Sequence, residues 1–203
     1  MSISAISIPP TAEAPPAGLI IMLHGWGADA QDLASLVPSL NLPNYHFLFP
    51  NAPFLHPAVP GGRMWYDLSQ PDEAGLATSR QLLTDWLQSL ENQLAIPLSK
   101  TILSGFSQGG AMTLEVGLNL PLAGLVVMSG YLHPGTSSAA QSFPPVLMVH
   151  GTMDSVIPLD EARRSHDGLV SLGVSVQYRE FYMGHEIRPE EIKLMRTFVT
   201  TSI

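Results

Sequence analysis

The sequence has no cysteine and few basic residues. Its 203 residues include only nine Lys and Arg against 17 Asp and Glu, which gives a formal net charge of −8. The absence of cysteine excludes disulfides, thiolate-bound zinc and a cysteine nucleophile. The shortage of cations and the excess of negative charge argue against nucleic acid or an anionic membrane surface as a partner.

Long apolar runs are also missing. No stretch approaches the ~18 uninterrupted apolar residues of a membrane-spanning helix, so we expect no stable membrane insertion. The first 30 residues contain no Lys or Arg, and a secretory signal needs a basic region there. These absences together predict a cytoplasmic protein.

The composition and the order of the apolar segments predict an α/β fold. The chain is 45% hydrophobic and only 13% charged, and its length favours a single domain over residues 1–203. Strands alternating with helices argue for a mostly parallel sheet with helices on both faces and no large cap domain. The predicted strands are 2–8, 18–23, 45–49, 101–103, 124–128, 146–150 and 174–181. The predicted helices are a short one starting near residue 29, then 77–94, 107–118, 159–172 and 189–200, and residues 50–60 are predicted to form a long loop.

A catalytic motif stands out at residues 105–110, which read Gly-Phe-Ser-Gln-Gly-Gly. A short apolar run precedes it and an apolar helical segment follows, which is the strand, sharp turn and helix of a nucleophile elbow. The small residues around Ser107 allow the tight turn and leave the serine side chain exposed at it. The pentapeptide alone is a weak signal, because Gly and Ser are common, and its context carries the interpretation.

A serine hydroxyl needs a base to take its proton and an acid to orient that base. In open α/β sheets these groups gather beyond the carboxyl ends of the strands. Asp154 follows the predicted strand 146–150 directly, whereas Asp160 and Asp167 fall at or inside a predicted helix. The alternative for Asp154 is a turn residue that bonds its own backbone.

Among seven histidines, His185 fits the base best, because it follows the last predicted strand. The order Ser107, Asp154, His185 is the one expected of α/β-hydrolases. We expect His24 and His150, at strand ends, to be structural, and His166 to point away from the sheet from within a helix. The remaining histidines lie within a strand, in the Pro-rich loop or ahead of Asp154: His46, His56 and His133.

The oxyanion of an acyl-transfer intermediate needs two donors. One is expected from the backbone N–H of Gln108, directly after the nucleophile, and the other from a loop after an early strand. Trp26, in the Gly-rich turn after the strand 18–23, is the best candidate for the second donor. Its indole is either a packed aromatic group or part of a pocket lining, and both can coexist with a backbone donor.

Four segments resemble the phospholipase/carboxylesterase family, which includes acyl-protein thioesterases and small bacterial carboxylesterases. They are Leu-His-Gly-Trp-Gly at 23–27, Gly-Phe-Ser-Gln-Gly-Gly-Ala-Met at 105–112, His-Gly-Thr-Met-Asp-Ser-Val-Ile-Pro at 150–158 and Met-Gly-His-Glu-Ile at 183–187. The resemblance implies a compact α/β-hydrolase without a large lid and without a metal or other cofactor. It implies the same functional residues, namely Ser107, Asp154 and His185 as the triad and Trp26 and Gln108 as oxyanion donors.

The family resemblance also implies the substrates, which are carboxylic esters of short to medium acyl chain or long-chain acyl thioesters on proteins. Trp26 stands where the family usually has leucine, which predicts a narrower pocket mouth. The block from Arg63 to Asp67 resembles the family's aromatic loop, and we expect Met64, Trp65, Trp26 and Leu68 to form an apolar acyl site.

These observations favour a serine carboxylic ester hydrolase that acts on a small-molecule acyl ester. The alternatives are an acyl-protein thioesterase or lysophospholipase with the same residues, or a non-catalytic ligand receptor or scaffold on the same fold. The sequence leaves open the physiological substrate and whether the protein forms a homodimer.

Overall fold

A seven-stranded sheet organises the computed structural model, which describes residues 3–12, 14–136 and 142–203. The strands are β1 (Ala5–Ile8), β2 (Gly18–Leu23), β3 (Tyr45–Pro50), β4 (Phe54–Leu55), β5 (Arg63–Met64), β6 (Thr101–Phe106), β7 (Gly124–Met128), β8 (Val146–Gly151) and β9 (Val176–Phe181). The helices are α1 (Ala30–Ala34), α2 (Val37–Leu40), α3 (Glu73–Leu94), α4 (Gln108–Gly117), α5 (Leu159–Ser171) and α6 (Pro189–Ser202), with a 3₁₀ turn at Leu98–Lys100.

The strand order in the main sheet is β1-β3-β2-β6-β7-β8-β9. Only β1 runs antiparallel, against β3, and every other neighbouring pair is parallel. This confirms the predicted α/β architecture and places the first predicted strand at an edge of the sheet, although Ser2 lies outside the described residues. The carboxyl ends of β6, β8 and β9 therefore meet at one edge of the sheet, where the predicted catalytic residues follow them.

Both faces of the sheet are covered, as the continuous apolar strands predict. Side chains along β2 alternate between two cores. Leu19, Ile21 and Leu23 join one core with residues of α3, α4 and α5, while Ile20 and Met22 join the other with residues of α1, α2 and α6. Each fully buried Leu or Ile contributes about 1.5–3 kcal/mol relative to an exposed one. The two cores hold the strand ends, and hence the site, in place.

Helix α3 ends at Leu94 as predicted, but it begins at Glu73 rather than at residue 77. The earlier start follows from a cap, because Asp72 accepts a hydrogen bond from the backbone N–H of Gly75 at 2.9 Å. The same carboxylate accepts from the backbone N–H of Asp67 at 2.9 Å. The start of α3 is thus tied to the segment that follows β5.

The predicted loop at 50–60 contains part of a small hairpin. Its strands β4 and β5 pair antiparallel, and the hairpin is fixed to the turn after β2. The backbone N–H of Gly27 donates to Arg63 O, and that of Arg63 donates to Ala28 O, both at 2.8 Å. The hairpin consequently lies beside Trp26.

Within the described ranges, no helix has both the length and the apolar character needed to cross a bilayer. The cytoplasmic location stays a prediction.

Candidate active site

Ser107 occupies a strained turn between β6 and α4. Its backbone angles are φ 56° and ψ −120°, a conformation that a non-glycine residue adopts only when its surroundings impose it. A Cβ at Gly105 would lie 2.2 Å from Gly109 O, and one at Gly109 would lie 2.1 Å from Leu23 O. The flanking glycines are therefore required by close packing. The half-buried Ser107 makes no capping hydrogen bond to α4, so its hydroxyl is not used in starting the helix.

Asp154 and His185 form a hydrogen-bonded pair at the ends of β8 and β9. The Nδ1 of His185 lies 2.7 Å from Oδ2 of Asp154, whose side chain is fully buried. The other oxygen, Oδ1, accepts from the backbone N–H groups of Val156 and Ile157 at 2.9 Å each. Burial by itself would raise the pKa of Asp154, but the hydrogen bonds from His185, Ile157 and Val156 together bring this pKa below its ordinary value.

An ionised Asp154 fixes the tautomer of its partner. Because a carboxylate only accepts hydrogen bonds, the proton of a neutral His185 ring lies on Nδ1 and Nε2 is left to accept another. The ring is 16% exposed, and its centroid lies 4.7 Å from that of Phe106, the residue before Ser107. The imidazole therefore lies against the residue that precedes the strained serine.

The loop that carries His185 is held against the end of β8. A Cβ at Gly151 would lie 2.4 Å from Gly184 O, so the two chain segments approach more closely than a side chain allows. On the other side, Glu191 accepts from the backbone N–H of Arg188 at 2.9 Å, and Arg188 Nη1 donates to Tyr182 O at 3.2 Å. These contacts explain how Asp154 and His185, which are 31 positions apart along the chain, meet.

The two segments predicted to supply oxyanion donors also meet at Ser107. Gln108 is the first residue of α4, where backbone N–H groups lack partners within the helix and the helix dipole favours negative charge. A Cβ at Gly25 would lie 3.3 Å from Cβ of Ser107. The turn that contains Trp26 therefore lies directly against Ser107.

The predicted structural histidines bond to backbone groups. The Nδ1 of His24 donates to Gly25 O at 2.8 Å, and its Nε2 accepts from the backbone N–H of Ala52 at 3.1 Å. Burial lowers the pKa of His24, which favours the neutral ring. His150 Nε2 lies 2.9 Å from Ile157 O. His166 is on α5 as predicted, paired with Asp167 and stacked on Tyr178.

The residues expected to form the acyl site do not all lie at the surface. Trp26 is 39% exposed and packs edge-on against His56, with ring centroids 4.3 Å apart. Met64 is half-buried in β5, and Leu68 is 45% exposed along an open hollow of about 440 Å³. Trp65 is fully buried and has no surface to offer a substrate. This burial corrects the expectation that Trp65 lines the acyl site.

Sequence reasoning missed the side chain of Gln108. Its Oε1 accepts from the backbone N–H of Trp65 at 3.0 Å, and its Nε2 donates to Tyr66 O at 2.7 Å. The bonded residues lie 43 and 42 positions apart. A polar side chain at the start of a largely apolar helix was the one signal that could have pointed to this contact.

A second polar network beyond β7 was also missed. The hydroxyl of Tyr66 lies 2.6 Å from that of Tyr131 and 2.9 Å from Nε2 of His133. The Nδ1 of His133 lies 2.9 Å from Oε2 of Glu115, and Arg80 bonds the other oxygen at 2.7 Å. No group of three or more His, Asp or Glu side chains in the described part of the chain is arranged to hold a metal ion.

A serine at this strand-to-helix turn, with a carboxylate–imidazole pair beyond neighbouring strands of a mostly parallel sheet, defines the α/β-hydrolase class. The chain belongs to the phospholipase/carboxylesterase family, whose model matches residues 7–203.

The similar proteins are hydrolases. Acyl-protein thioesterase 1 homolog 1 of Dictyostelium discoideum is 29% identical over 203 residues, which cover 91% of this chain and 90% of that protein. Acyl-protein thioesterase 1 of Neurospora crassa is 30% identical over 209 residues, with 89% and 85% covered. The solved structure of esterase PE8 matches with a TM-score of 0.89 and 29% identity, and all of both chains is covered. All three are named as esterases or thioesterases, which are hydrolases.

Proposed function

We propose that this protein is a serine carboxylic ester hydrolase with Ser107, His185 and Asp154 as its catalytic triad. The observation that carries the proposal is the His185 imidazole, which is anchored to buried Asp154 at 2.7 Å and packs on Phe106, the residue before the strained Ser107. A serine is a poor nucleophile without such a base, and an imidazole needs such a carboxylate to present Nε2.

The proposed reaction has two halves. The Oγ of Ser107 attacks the acyl carbonyl carbon while its proton passes to Nε2 of His185, and Asp154 stabilises the imidazolium. The oxyanion accepts hydrogen bonds from the backbone N–H groups of Gln108 and Trp26. Collapse of the intermediate releases the alcohol, which takes the proton from His185. Water then attacks the acyl-enzyme by the same route and frees the acid and Ser107.

We propose short- to medium-chain acyl esters as the preferred substrates. Trp26 supports this, because it is partly exposed and follows Gly25, which lies against Ser107, and a large indole at this position would leave less width for a long acyl chain. Met64 and Leu68 are the other candidates for contact with the acyl group. The second candidate activity, acyl-protein thioester hydrolysis, is favoured by the names of the relatives from Dictyostelium and Neurospora. Lysophospholipid hydrolysis would use the same residues.

The test is a hydrolysis screen with p-nitrophenyl esters from acetate to palmitate, alongside a palmitoyl thioester peptide and a lysophospholipid. We expect the highest kcat/KM on a short- or medium-chain ester and no activity above background in Ser107→Ala. A preference for the thioester or the lysophospholipid would favour those activities instead. A folded wild type that hydrolyses none of these would point to the receptor alternative and contradict the proposal.

A further inference from the structure

Trp65 is fully buried and is held by hydrogen bonds at three points. Its backbone N–H donates to Oε1 of Gln108 at 3.0 Å, and its indole Nε1–H donates to His24 O at 3.0 Å. Its carbonyl accepts from Oγ of Ser79 on α3. The side chain is fully buried, so the indole cannot shift without breaking a buried hydrogen bond or opening a void.

Two of these bonds lead to the two segments that carry the proposed oxyanion donors. Gln108 bonds Trp65 through its side chain and offers its backbone N–H to the site. His24 bonds Trp65 through its carbonyl and is separated from Trp26 only by Gly25. The His24 carbonyl and the Trp26 N–H lie on adjacent planar peptide units joined at Gly25, so we expect a shift of that carbonyl to move the N–H as well.

The groups at the far ends of these bonds are themselves held. The Nε2 of buried Gln108 donates to Tyr66 O at 2.7 Å, and the ring of His24 accepts from the backbone N–H of Ala52 at 3.1 Å. A Cβ at Gly109 would lie 2.1 Å from Leu23 O, so the start of α4 already touches the end of β2. Trp65 therefore joins two segments that cannot adjust independently.

We propose that Trp65 is a positioning residue that sets the separation of the two oxyanion donors, the backbone N–H groups of Gln108 and Trp26. The proposal rests on the hydrolase function proposed above and adds a residue to it. Oxyanion donors act only within about 2.7–3.1 Å of the oxygen they stabilise, so a small change in their separation reduces transition-state stabilisation. The ground-state ester does not depend on that separation in the same way.

The test is Trp65→Phe, which keeps a buried aromatic ring but removes the Nε1–H bond to His24. We expect kcat to fall roughly 10- to 100-fold, less than the 10²–10³-fold loss typical of removing a donor outright, while KM changes little. The affinity for an aryl trifluoromethyl ketone, which forms a tetrahedral adduct on the serine, should fall by the same factor as kcat/KM. Trp86→Phe, a half-buried tryptophan on α3, is the matched control and should keep both values.

A second variant keeps the test decisive if Trp65→Phe does not fold. Gln108→Met removes both side-chain bonds but leaves the backbone N–H at position 108, and the same parallel loss of kcat and ketone affinity is expected. A folded variant at either position with wild-type kcat and ketone affinity would overturn the proposal and leave Trp65 a core residue only. The proposed hydrolase function is tested separately, with the wild type alone. An absence of ester hydrolysis there would contradict that function and not the role of Trp65.

Discussion

Asp154–His185 and Glu115–His133 are two carboxylate–imidazole pairs of similar geometry. The Nδ1 of His185 lies 2.7 Å from Asp154, and the Nδ1 of His133 lies 2.9 Å from Glu115. Hydrogen bonds from the histidine contribute in both pairs to a carboxyl pKa below its ordinary value. The pairs differ at the other ring nitrogen. The Nε2 of His133 bonds the hydroxyl of Tyr66, whereas that of His185 has no hydrogen-bond partner in the described part of the chain and its ring stands beside Phe106.

On the proposed assignment, a buried acid–imidazole pair is not by itself a catalytic feature. The Glu115–His133 pair belongs to a closed network that ties α3 and α4 to the segments after β5 and β7 through Arg80, Tyr66 and Tyr131. Its hydrogen-bonding capacity at both ring nitrogens is used. The Asp154–His185 pair keeps one nitrogen available at the sheet edge where Ser107 is displayed, and this is the arrangement that proton transfer needs.

The largest effect on kcat is expected when the imidazole of His185 is replaced by a methyl group. His185→Ala should lower kcat by several powers of ten, because the base is lost, and should leave the fold intact because the ring is partly exposed. Steady-state hydrolysis of a short-chain p-nitrophenyl ester, with circular dichroism as a check on folding, measures this. Full activity in the folded variant would mean that His185 is not the catalytic base.

His133→Ala should do the opposite. It removes the imidazole bonds to Oε2 of Glu115 and to the hydroxyl of Tyr66, which should cost about 1–3 kcal/mol of unfolding free energy, while kcat/KM stays within about tenfold of the wild type. His166→Ala, on the surface of α5, is the control and should be nearly silent in both assays. An inactive but stable His133→Ala variant would mean that the Glu115–His133 pair, and not Asp154–His185, is the catalytic one.

Glu191, beside the His185 loop, is a buried acid that can be compared with Asp154 and Glu115. One of its oxygens is buried without a hydrogen-bond partner within the described residues. Burial and the nearby Glu186 and Glu190 raise the pKa of Glu191 to about 7, against the lowering bond from Arg188. Glu191 ionises at a lower pH in the unfolded chain than in the folded protein. The wild type therefore loses stability as pH rises from 4.5 to about 7. The loss is at most roughly 3 kcal/mol.

Glu191→Gln removes this titration but keeps an acceptor for the backbone N–H of Arg188. Its stability advantage over the wild type should therefore grow between pH 4.5 and 7 and stay level above. Urea unfolding at pH 4.5, 7 and 8.5 measures it. A difference that does not change with pH would mean that Glu191 ionises at its ordinary pH in the folded protein.

The smallest expected effect concerns Trp26. Trp26→Leu should move the optimum of kcat/KM toward longer acyl chains and leave the chemistry nearly unchanged, because the proposed donor is the backbone N–H. Each methylene in an apolar pocket is worth about 1–3 kcal/mol at most, so the change should be graded along an ester series. Identical chain-length profiles would mean that the indole, which packs on His56, does not limit the pocket.

The sequence predicted the parts of this molecule that depend on local pattern. Strands 18–23 and 124–128 match β2 and β7, because continuous apolar runs bounded by turn residues mark buried parallel strands. The structure brings Asp154 and His185 together as strand order implies. Trp65 was misplaced because its role depends on hydrogen bonds across 41 and 43 positions, which neither periodicity nor spacing records. An aromatic residue in a loop looks the same in sequence whether it lines a pocket or joins two segments.

Active-site labelling tests the central claim most directly. The wild type should react with a fluorophosphonate probe at a single serine, and mass spectrometry of the digested protein should place the adduct on Ser107. His185→Ala should label much more slowly, and His133→Ala should label at close to the wild-type rate. An adduct on another serine, or equal labelling of Ser107→Ala and the wild type, would contradict the account.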